Sequence, residues 1–239
     1  MSAAATAIWV KDCRSALRSP VAWCGFAGSA AVCAALFAAG LKSAGGADAW
    51  DSFPALFCSR LLLSLCVPVS LFTMGLFARE QSRGTFDMLL AAPVSERELV
   101  LAKFFAAFAL VCVSTAFAFG SALVYLRLAA PPPPFIAAEM CGAAVAAVLA
   151  ASAWTAAGTF FSVLSYHQPP ACAATAAASL GSAALFTRSF PGFNAAAMPD
   201  LADFARGTAD SRVIFAALSL TVFLLACAIR VLQFRRCGR

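Results

Sequence analysis

Long apolar runs alternate with short charged segments along this chain, and the runs are long enough to cross a membrane. A helix that crosses a bilayer needs ~20 largely apolar residues, and each charge near its middle costs roughly 3 kcal/mol on insertion. Charged residues therefore mark the ends of the spans. Reading between them predicts six transmembrane helices, to within several residues, at positions 21–41, 55–78, 104–126, 140–164, 169–187 and 213–229.

The fourth and fifth predicted spans come from one charge-free tract over residues 140–187, which is too long for a single span. A Tyr-His-Gln-Pro-Pro sequence at 166–170 divides the tract, because consecutive prolines interrupt a helix. We expect a tight helical hairpin there. A five-span alternative, with one tilted helix in the tract, would leave about twenty apolar residues unplaced and the termini on opposite sides.

A polar segment over residues 78–98 separates the second and third predicted spans. Gly84 can end the helix that enters this segment, because glycine readily adopts the left-handed conformation found after helices. A short apolar turn containing Phe86, Leu89 and Leu90 follows, and Pro93 interrupts it. The segment is thus predicted to contain the end of a helix, a break, a short helix and the start of a new helix. This order favours a cytoplasmic docking element over a simple connecting loop.

The third predicted span has a well-defined start. Ser95 and Glu98 have the spacing of a reciprocal capping box, in which each side chain bonds the backbone of the other residue. Val94 and Leu99 occupy the positions of a hydrophobic staple around it. The sequence therefore predicts a capped helix that begins immediately after Ser95.

The first twenty residues predict an amphipathic helix in the membrane interface. Lys11, Arg14 and Arg18 fall within a sector of about 60° on a helix, and Trp9 lies on the opposite side. Pro20 marks the bend into the first span. From these residues alone the segment is either a simple interfacial anchor or an elbow helix that borders a cytoplasmic partner.

Composition excludes a soluble domain, because 62% of the 239 residues are hydrophobic and only 12% are charged. With six spans and a cytoplasmic N-terminus, eleven of the 17 basic residues lie inside, which satisfies the positive-inside rule. We therefore expect a multi-pass protein of the cytoplasmic (inner) membrane with both termini in the cytoplasm and a basic tail at 234–239. The net charge of +6 reflects orientation and contact with anionic membrane lipids, without a nucleic-acid partner.

Motifs for catalysis are missing from the sequence. None of its three lysines follows the glycine that a phosphate-binding loop requires, so the chain is not expected to hydrolyse ATP alone. The single histidine, His167, excludes multi-histidine metal sites, and the ten cysteines show no close pairing. We expect no catalytic residue, no metal and no cofactor in this chain.

The polar segment also carries a family resemblance. With the spacing E-x-x-x-G-T-x-E-x-L-L-x-x-P-V-S-x-x-E-x-x-x-x-K-F, it resembles the signature of type-2 ABC transporter permeases. The matching residues are Glu80, Gly84, Thr85, Asp87, Leu89, Leu90, Pro93, Val94, Ser95, Glu98, Lys103 and Phe104. Asp87 stands where the family usually has Glu, and Ala102 where Gly is common. Residues 204–212, the last span and Arg235-Arg236 resemble the ending of the subgroup associated with gliding motility and copper-reductase maturation.

The resemblance implies an all-α membrane protein, with a six-span permease domain over residues 21–233 that pairs with a second permease copy or a paralogue. A separate ABC ATPase subunit, which holds ATP and Mg, would dock on the elbow helix and on a coupling helix between the second and third spans. The coupling residues carried over by position are Glu80, Arg83, Gly84, Thr85, Phe86, Asp87, Leu89 and Leu90. The elbow residues are Trp9, Lys11, Arg14 and Arg18.

By the same resemblance, the chain is the permease of an exporter, and the outside loop at 188–212, with a possible short helix, is a candidate external gate. Two other classes of function stay open. A secondary transporter or channel would show inverted repeats or charges inside the spans, and neither is evident. A non-transporting scaffold of a surface or motility complex would also explain the spans. A neighbouring reading frame for an ATPase without spans would discriminate between these classes.

Overall fold

The computed structural model describes residues 3–44, 53–84, 95–128, 137–186 and 211–237, and this part of the chain contains helices and no strand. The helices are α1 (Ala3–Leu17), α2 (Pro20–Ala44), α3 (Phe53–Thr73), α4 (Ala78–Ser82), α5 (Glu96–Leu128), α6 (Ala137–Leu164), α7 (Gln168–Phe186) and α8 (Ser211–Cys237). The all-α fold predicted from the apolar runs is confirmed for these residues.

The chain bends sharply between α1 and α2, where the axes of the two helices differ by 72°. Pro20 is the first residue of α2, where its missing N–H costs no helical hydrogen bond. Two side chains hold the bend: the indole of Trp23 donates to the carbonyl of Leu17 at 3.0 Å, and the Ser19 hydroxyl accepts from the N–H of Val21 at 3.3 Å. The break predicted at Pro20 is confirmed.

Helix α3 lies at the centre of the bundle and packs against α2, α5, α6 and α7. Phe57, Leu61, Leu65 and Val69 are spaced four residues apart and are completely buried. Because residues four apart lie on one face of a helix, they form a continuous apolar stripe along α3. This stripe is the main core of the molecule.

Small residues bring α3 and α6 into close contact. Ala143, Ala147 and Ala151 of α6 are fully buried in the same core. Further along α6, Gly158 lies so close to α3 that an added Cβ would be 2.3 Å from the Oγ1 atom of Thr73. Close approach through small residues is typical of helices in membranes.

A three-residue connection joins α6 and α7, and the two helices pack against each other. The hairpin predicted near residue 166 is therefore confirmed. Pro169 and Pro170 stand in the first turn of α7, where an N–H has no helical acceptor. Trp154 of α6 donates from its indole to the Ser182 hydroxyl of α7 at 2.8 Å.

Helix α8 covers the bundle from outside and packs on α6 and α5. Four of the described helices, those starting at Phe53, Glu96, Ala137 and Ser211, are long and apolar enough to cross a membrane. A fifth candidate exists if the bent pair α1–α2 counts as one span. The chain is therefore a multi-pass helical membrane protein.

Candidate functional site

Charged and polar contacts concentrate at one end of the bundle, where α1, the C-terminal end of α3, α4, the start of α5 and the C-terminal ends of α6 and α8 meet. We call this region the polar end. It contains every described residue that the sequence predicts for partner contact. The contacts within the polar end therefore show which helices are connected to the predicted coupling segment.

The first part of the polar end is an irregular turn after α3. The sequence predicts a span that continues to residue 78, but α3 ends at Thr73 and the short helix α4 begins at Ala78. The Ser162 hydroxyl of α6 accepts hydrogen bonds from the N–H groups of Phe77 (3.0 Å) and Ala78 (3.3 Å). Because another helix supplies this acceptor, the chain can leave helical geometry here without stranding two buried donors.

Lys103 of α5 is the centre of the polar end, and it is only 3% exposed. Its ammonium donates to the carbonyl of Leu76 at 2.8 Å, to Glu80 at 2.9 Å and to Asp12 at 3.5 Å. These acceptors match the three donors that a lysine ammonium has. The ammonium also lies 5.2 Å from the centroid of the Phe77 ring. We call these five residues the Lys103 cluster.

The Lys103 cluster joins three separate segments of the chain. Asp12 belongs to α1, Leu76 and Phe77 to the turn, and Glu80 to α4. The cation is desolvated, but two carboxylates and a carbonyl offset that cost. Breaking a buried ion pair by removing one partner costs about 3–5 kcal/mol, so this junction resists separation of the three segments.

A second set of contacts holds α4 from another side. The Gln81 amide donates to the carbonyl of Val163 at 3.1 Å, and its carbonyl accepts from the Arg235 guanidinium at 2.9 Å. Arg235 also donates to the carbonyl of Leu164 at 3.1 Å and stacks over the Tyr166 ring. One turn of helix is thus tied to α5 and α1 through Glu80 and to α6 and α8 through Gln81.

The start of α5 is fixed by its cap and by an ion pair. The Ser95 hydroxyl accepts from the N–H of Glu98 at 3.3 Å and donates to the Glu98 carboxylate at 3.1 Å, so the predicted N-cap is confirmed. Glu96, in the first turn, forms an ion pair with Arg236 of α8. The hydrogen bond from Arg236 lowers the pKa of the Glu96 carboxyl below its usual value. Val94, the other half of the predicted staple, lies outside the described residues.

Trp9, Lys11 and Arg14 of the predicted elbow residues lie on α1, and Arg18 directly follows its last residue. Lys11, Arg14 and Arg18 are exposed and Trp9 is half-buried, as expected for an amphipathic helix. The inner face of α1 carries Asp12, which reaches Lys103.

The predicted coupling residues divide into two groups. Glu80 and Arg83 are on or next to α4, and Gly84 has a φ of +70°, the left-handed conformation expected of a glycine that ends a helix. Thr85, Phe86, Asp87, Leu89 and Leu90 lie outside the described residues. Of the outside loop at 188–212, only Ser211 and Arg212 are described, and they begin α8.

Sequence reasoning missed several residues of the polar end. Asp12, Gln81 and Ser162 were not predicted to have a role, and Lys103 was noted only as part of the motif. Polar residues inside or beside apolar spans were the available signal, because such residues are rarely left without partners in a membrane. The sequence does not show which residues pair, since Asp12 and Lys103 are 91 positions apart.

The long apolar helices meet at the hydrogen-bonded polar end. This arrangement defines the class of the molecule, a multi-pass helical membrane protein. Comparison with protein families gives the particular family, because residues 17–168 match the family described as ABC-2 family transporter protein. The match spans more than half of the sequence, so the chain belongs to this family and is an ABC transporter permease. Among curated proteins no sequence matches it.

The matched region runs from the bend before α2 to the first residue of α7 and contains α4 and the whole Lys103 cluster except Asp12. Membership of the family makes the chain a membrane transport subunit and implies partnership with an ABC ATPase subunit.

Proposed function

We propose that this chain is the permease subunit of an ABC exporter, and that α4 passes movement from a docked ATPase to the spans. The substrate path would run between two permeases, each a copy of this chain or a paralogue. The ATPase, which binds ATP with Mg, would contact the exposed face of α1 and the segment at 85–94. The sequence ending supports the subgroup associated with gliding motility and copper-reductase maturation.

The observation that carries the proposal is the way α4 is held. Gly84 follows α4 and directly precedes the predicted docking segment. A movement of that segment would therefore be transmitted first to α4. Glu80 then connects to α1 and α5 through Lys103, and Gln81 connects to α6 and α8. A rigid-body movement at the docking segment would therefore reach four helices through two adjacent residues.

Six spans are supported by the position of α7. Its 19 residues extend about 28 Å at ~1.5 Å per residue, close to the ~30 Å of the hydrocarbon core. It packs against both α3 and α6, so it lies within the bundle. Because the hairpin makes it antiparallel to α6, it crosses the membrane if α6 does. The clustering of Lys11, Arg83 and Arg235 at the polar end supports a cytoplasmic location for that end.

The proposal is tested by co-expressing the chain with its cognate ATPase and measuring ATP hydrolysis by the purified complex. Lys103→Met should abolish the stimulation of hydrolysis that the permease gives, because α4 loses its link to α1 and α5. Glu80→Gln keeps the shape of the side chain and should lower stimulation at least about tenfold while membrane abundance stays near wild type. Lys42→Met, the same change at the predicted outer end, is the matched control.

Two results would refute the proposal. Wild-type stimulation by both Lys103→Met and Glu80→Gln, at equal abundance, would show that α4 does not transmit movement. ATP hydrolysis by the purified chain without any ATPase would remove the permease role itself. A complex that forms normally but loses stimulation in Glu80→Gln alone supports transmission, since assembly is then separated from coupling.

A further inference from the structure

A cavity of about 290 Å³ lies beside the Lys103 cluster, enclosed by α1, α4 and the adjoining ends of α2, α3 and α5. Its walls have two different characters. The residues contributed by α1 and α4 are mainly charged or hydroxylated, and they include Lys11, Ser15, Arg79 and Arg83. The residues contributed by α2, α3 and most of those from α5 are apolar, and they include Val21, Leu71, Phe72 and Leu110.

The cavity has a surplus of positive charge. Its two acidic residues, Asp12 and Glu80, both pair with Lys103. Among the described residues no carboxylate forms an ion pair with Lys11, Arg79 or Arg83, although all three line the same space. The four cations of the lining, Lys11, Arg79, Arg83 and Lys103, outnumber its two carboxylates, which leaves a formal charge of +2. An anion of matching size would be attracted to it.

Arg79 is held in the cavity by a specific contact. The position that a Cβ would take on Gly75 lies 3.1 Å from one guanidinium nitrogen of Arg79 and 3.3 Å from its central carbon. The guanidinium therefore packs closely on the backbone of Gly75, and an added Cβ would shift it by a few tenths of an ångström. This contact favours one position of the Arg79 cation beside the cavity.

The apolar wall continues toward the membrane. Val21 is 41% exposed and stands at the start of α2, next to the bend. Trp23, also exposed, bonds the last residue of α1 through its indole, as tryptophan does at a membrane interface. A ligand in the cavity would meet cations at one end and bilayer-facing apolar side chains at the other.

We propose that this cavity binds the headgroup of an acidic phospholipid, with the phosphate between Arg79, Arg83 and Lys11 and an acyl chain leaving along Val21 and Phe72. Basic pockets between membrane helices bind anionic headgroups for the same electrostatic reason. The apolar wall favours a lipid over a free phosphate, which would leave that wall uncovered. The site goes beyond the permease role and requires no ATPase, so the two proposals can fail independently.

The test uses the full chain purified in neutral detergent, with phosphatidylglycerol as the probe and phosphatidylcholine as the uncharged comparison. Native mass spectrometry counts bound lipid, and the thermal midpoint follows saturation. We expect about one tightly held phosphatidylglycerol per chain and weaker retention of phosphatidylcholine. Arg79→Gln with Arg83→Gln should weaken phosphatidylglycerol binding about 30-fold, since each basic residue contributes roughly fivefold.

Two matched variants separate a defined site from general attraction. Arg14→Gln with Arg18→Gln removes the same charge from two exposed residues on and just after α1 that do not line the cavity, and we expect a change of less than about threefold at physiological salt. Gly75→Ala keeps every charge and shifts the Arg79 guanidinium by a few tenths of an ångström, so it should weaken binding less than the double variant does. If the double variant is unstable, Arg83→Gln alone, on an exposed residue, should still weaken binding about fivefold.

Three results would overturn the lipid site. Equal losses in the two arginine pairs would mean that net charge alone attracts the lipid. Unchanged binding in Arg79→Gln with Arg83→Gln would place the lipid outside the cavity. Displacement of phosphatidylglycerol by millimolar inorganic phosphate would make the cavity a free-anion site.

Discussion

Gly158→Ala tests how tightly α3 and α6 must approach for the polar end to form. The added Cβ would lie 2.3 Å from Oγ1, 2.6 Å from Cβ and 2.8 Å from Cγ2 of Thr73. Thr73 is fully buried and its hydroxyl donates to the carbonyl of Val69 at 2.8 Å, which restrains rotation of its side chain. Even after rotation its Cβ would stay too close, and the helices must separate by about 1 Å to reach normal contact.

The expected cost follows from that separation. Overpacking of a tight interior costs about 1–3 kcal/mol, and the better helix propensity of alanine returns up to ~1 kcal/mol. We therefore expect a net loss of about 1–2 kcal/mol in the free energy of unfolding. Ser162 lies one turn further along α6, so the same shift lengthens its hydrogen bonds to Phe77 and Ala78. Stimulation of a partner ATPase should fall together with stability.

The assay is the thermal midpoint of the purified chain in detergent, followed by size-exclusion chromatography with fluorescence detection. Gly181→Ala is the matched control, because nothing lies within 4 Å of its added Cβ and it stands on the exposed face of α7. Its midpoint should equal or exceed that of wild type. Thr73→Gly should recover Gly158→Ala better than Thr73→Ala does, since only glycine removes the Cβ at 2.6 Å. Equal midpoints for Gly158→Ala, Gly181→Ala and wild type would refute the close approach.

Three further predictions concern other parts of the molecule. Ser162→Ala leaves two buried N–H groups without their acceptor and should cost about 1–3 kcal/mol of stability, read as a lower midpoint in the same assay. Leu89→Ala with Leu90→Ala should lower the free energy of ATPase binding by on the order of 2 kcal/mol or more per side chain. Pull-down of the ATPase should then fall at equal membrane abundance of the permease. Equal recovery would contradict a docking role. In a chain without native cysteines, an outside thiol reagent should label a cysteine at Ala195 but not one at Gln168, and labelling at Gln168 would reject the six-span topology.

Features set by local chemistry could be predicted from the sequence. Pro20, Gly84 and Ser95 each act on their own few residues, and all three mark the helix boundaries expected of them. Apolar runs also located the long helices, because the cost of burying charge in a bilayer is the same in every protein.

Features set by tertiary pairing could not be predicted. Nothing near Thr73 in the sequence indicates that α3 ends there, since the acceptor that permits the turn is Ser162, 85 positions later than Phe77. The sequence placed Lys103 beside the third predicted span, but its partners come from three other segments, α1, the turn after α3 and α4. The contact between Gly158 and Thr73 is likewise visible only once α3 and α6 are side by side.

The contacts of Arg235 bear on how the protein is made. Its acceptor Gln81 precedes it by 154 positions, so α5, α6 and α7 all leave the ribosome before that bond can form. Until then Gln81 and the carbonyl of Leu164 lack this partner, while Lys103, the end of α6 and the packing against α7 still hold α4. The hydrogen bonds of the polar end are therefore complete only after α8 has been synthesised. A nascent chain stalled before Arg235 would expose these unpaired groups to membrane quality-control proteases.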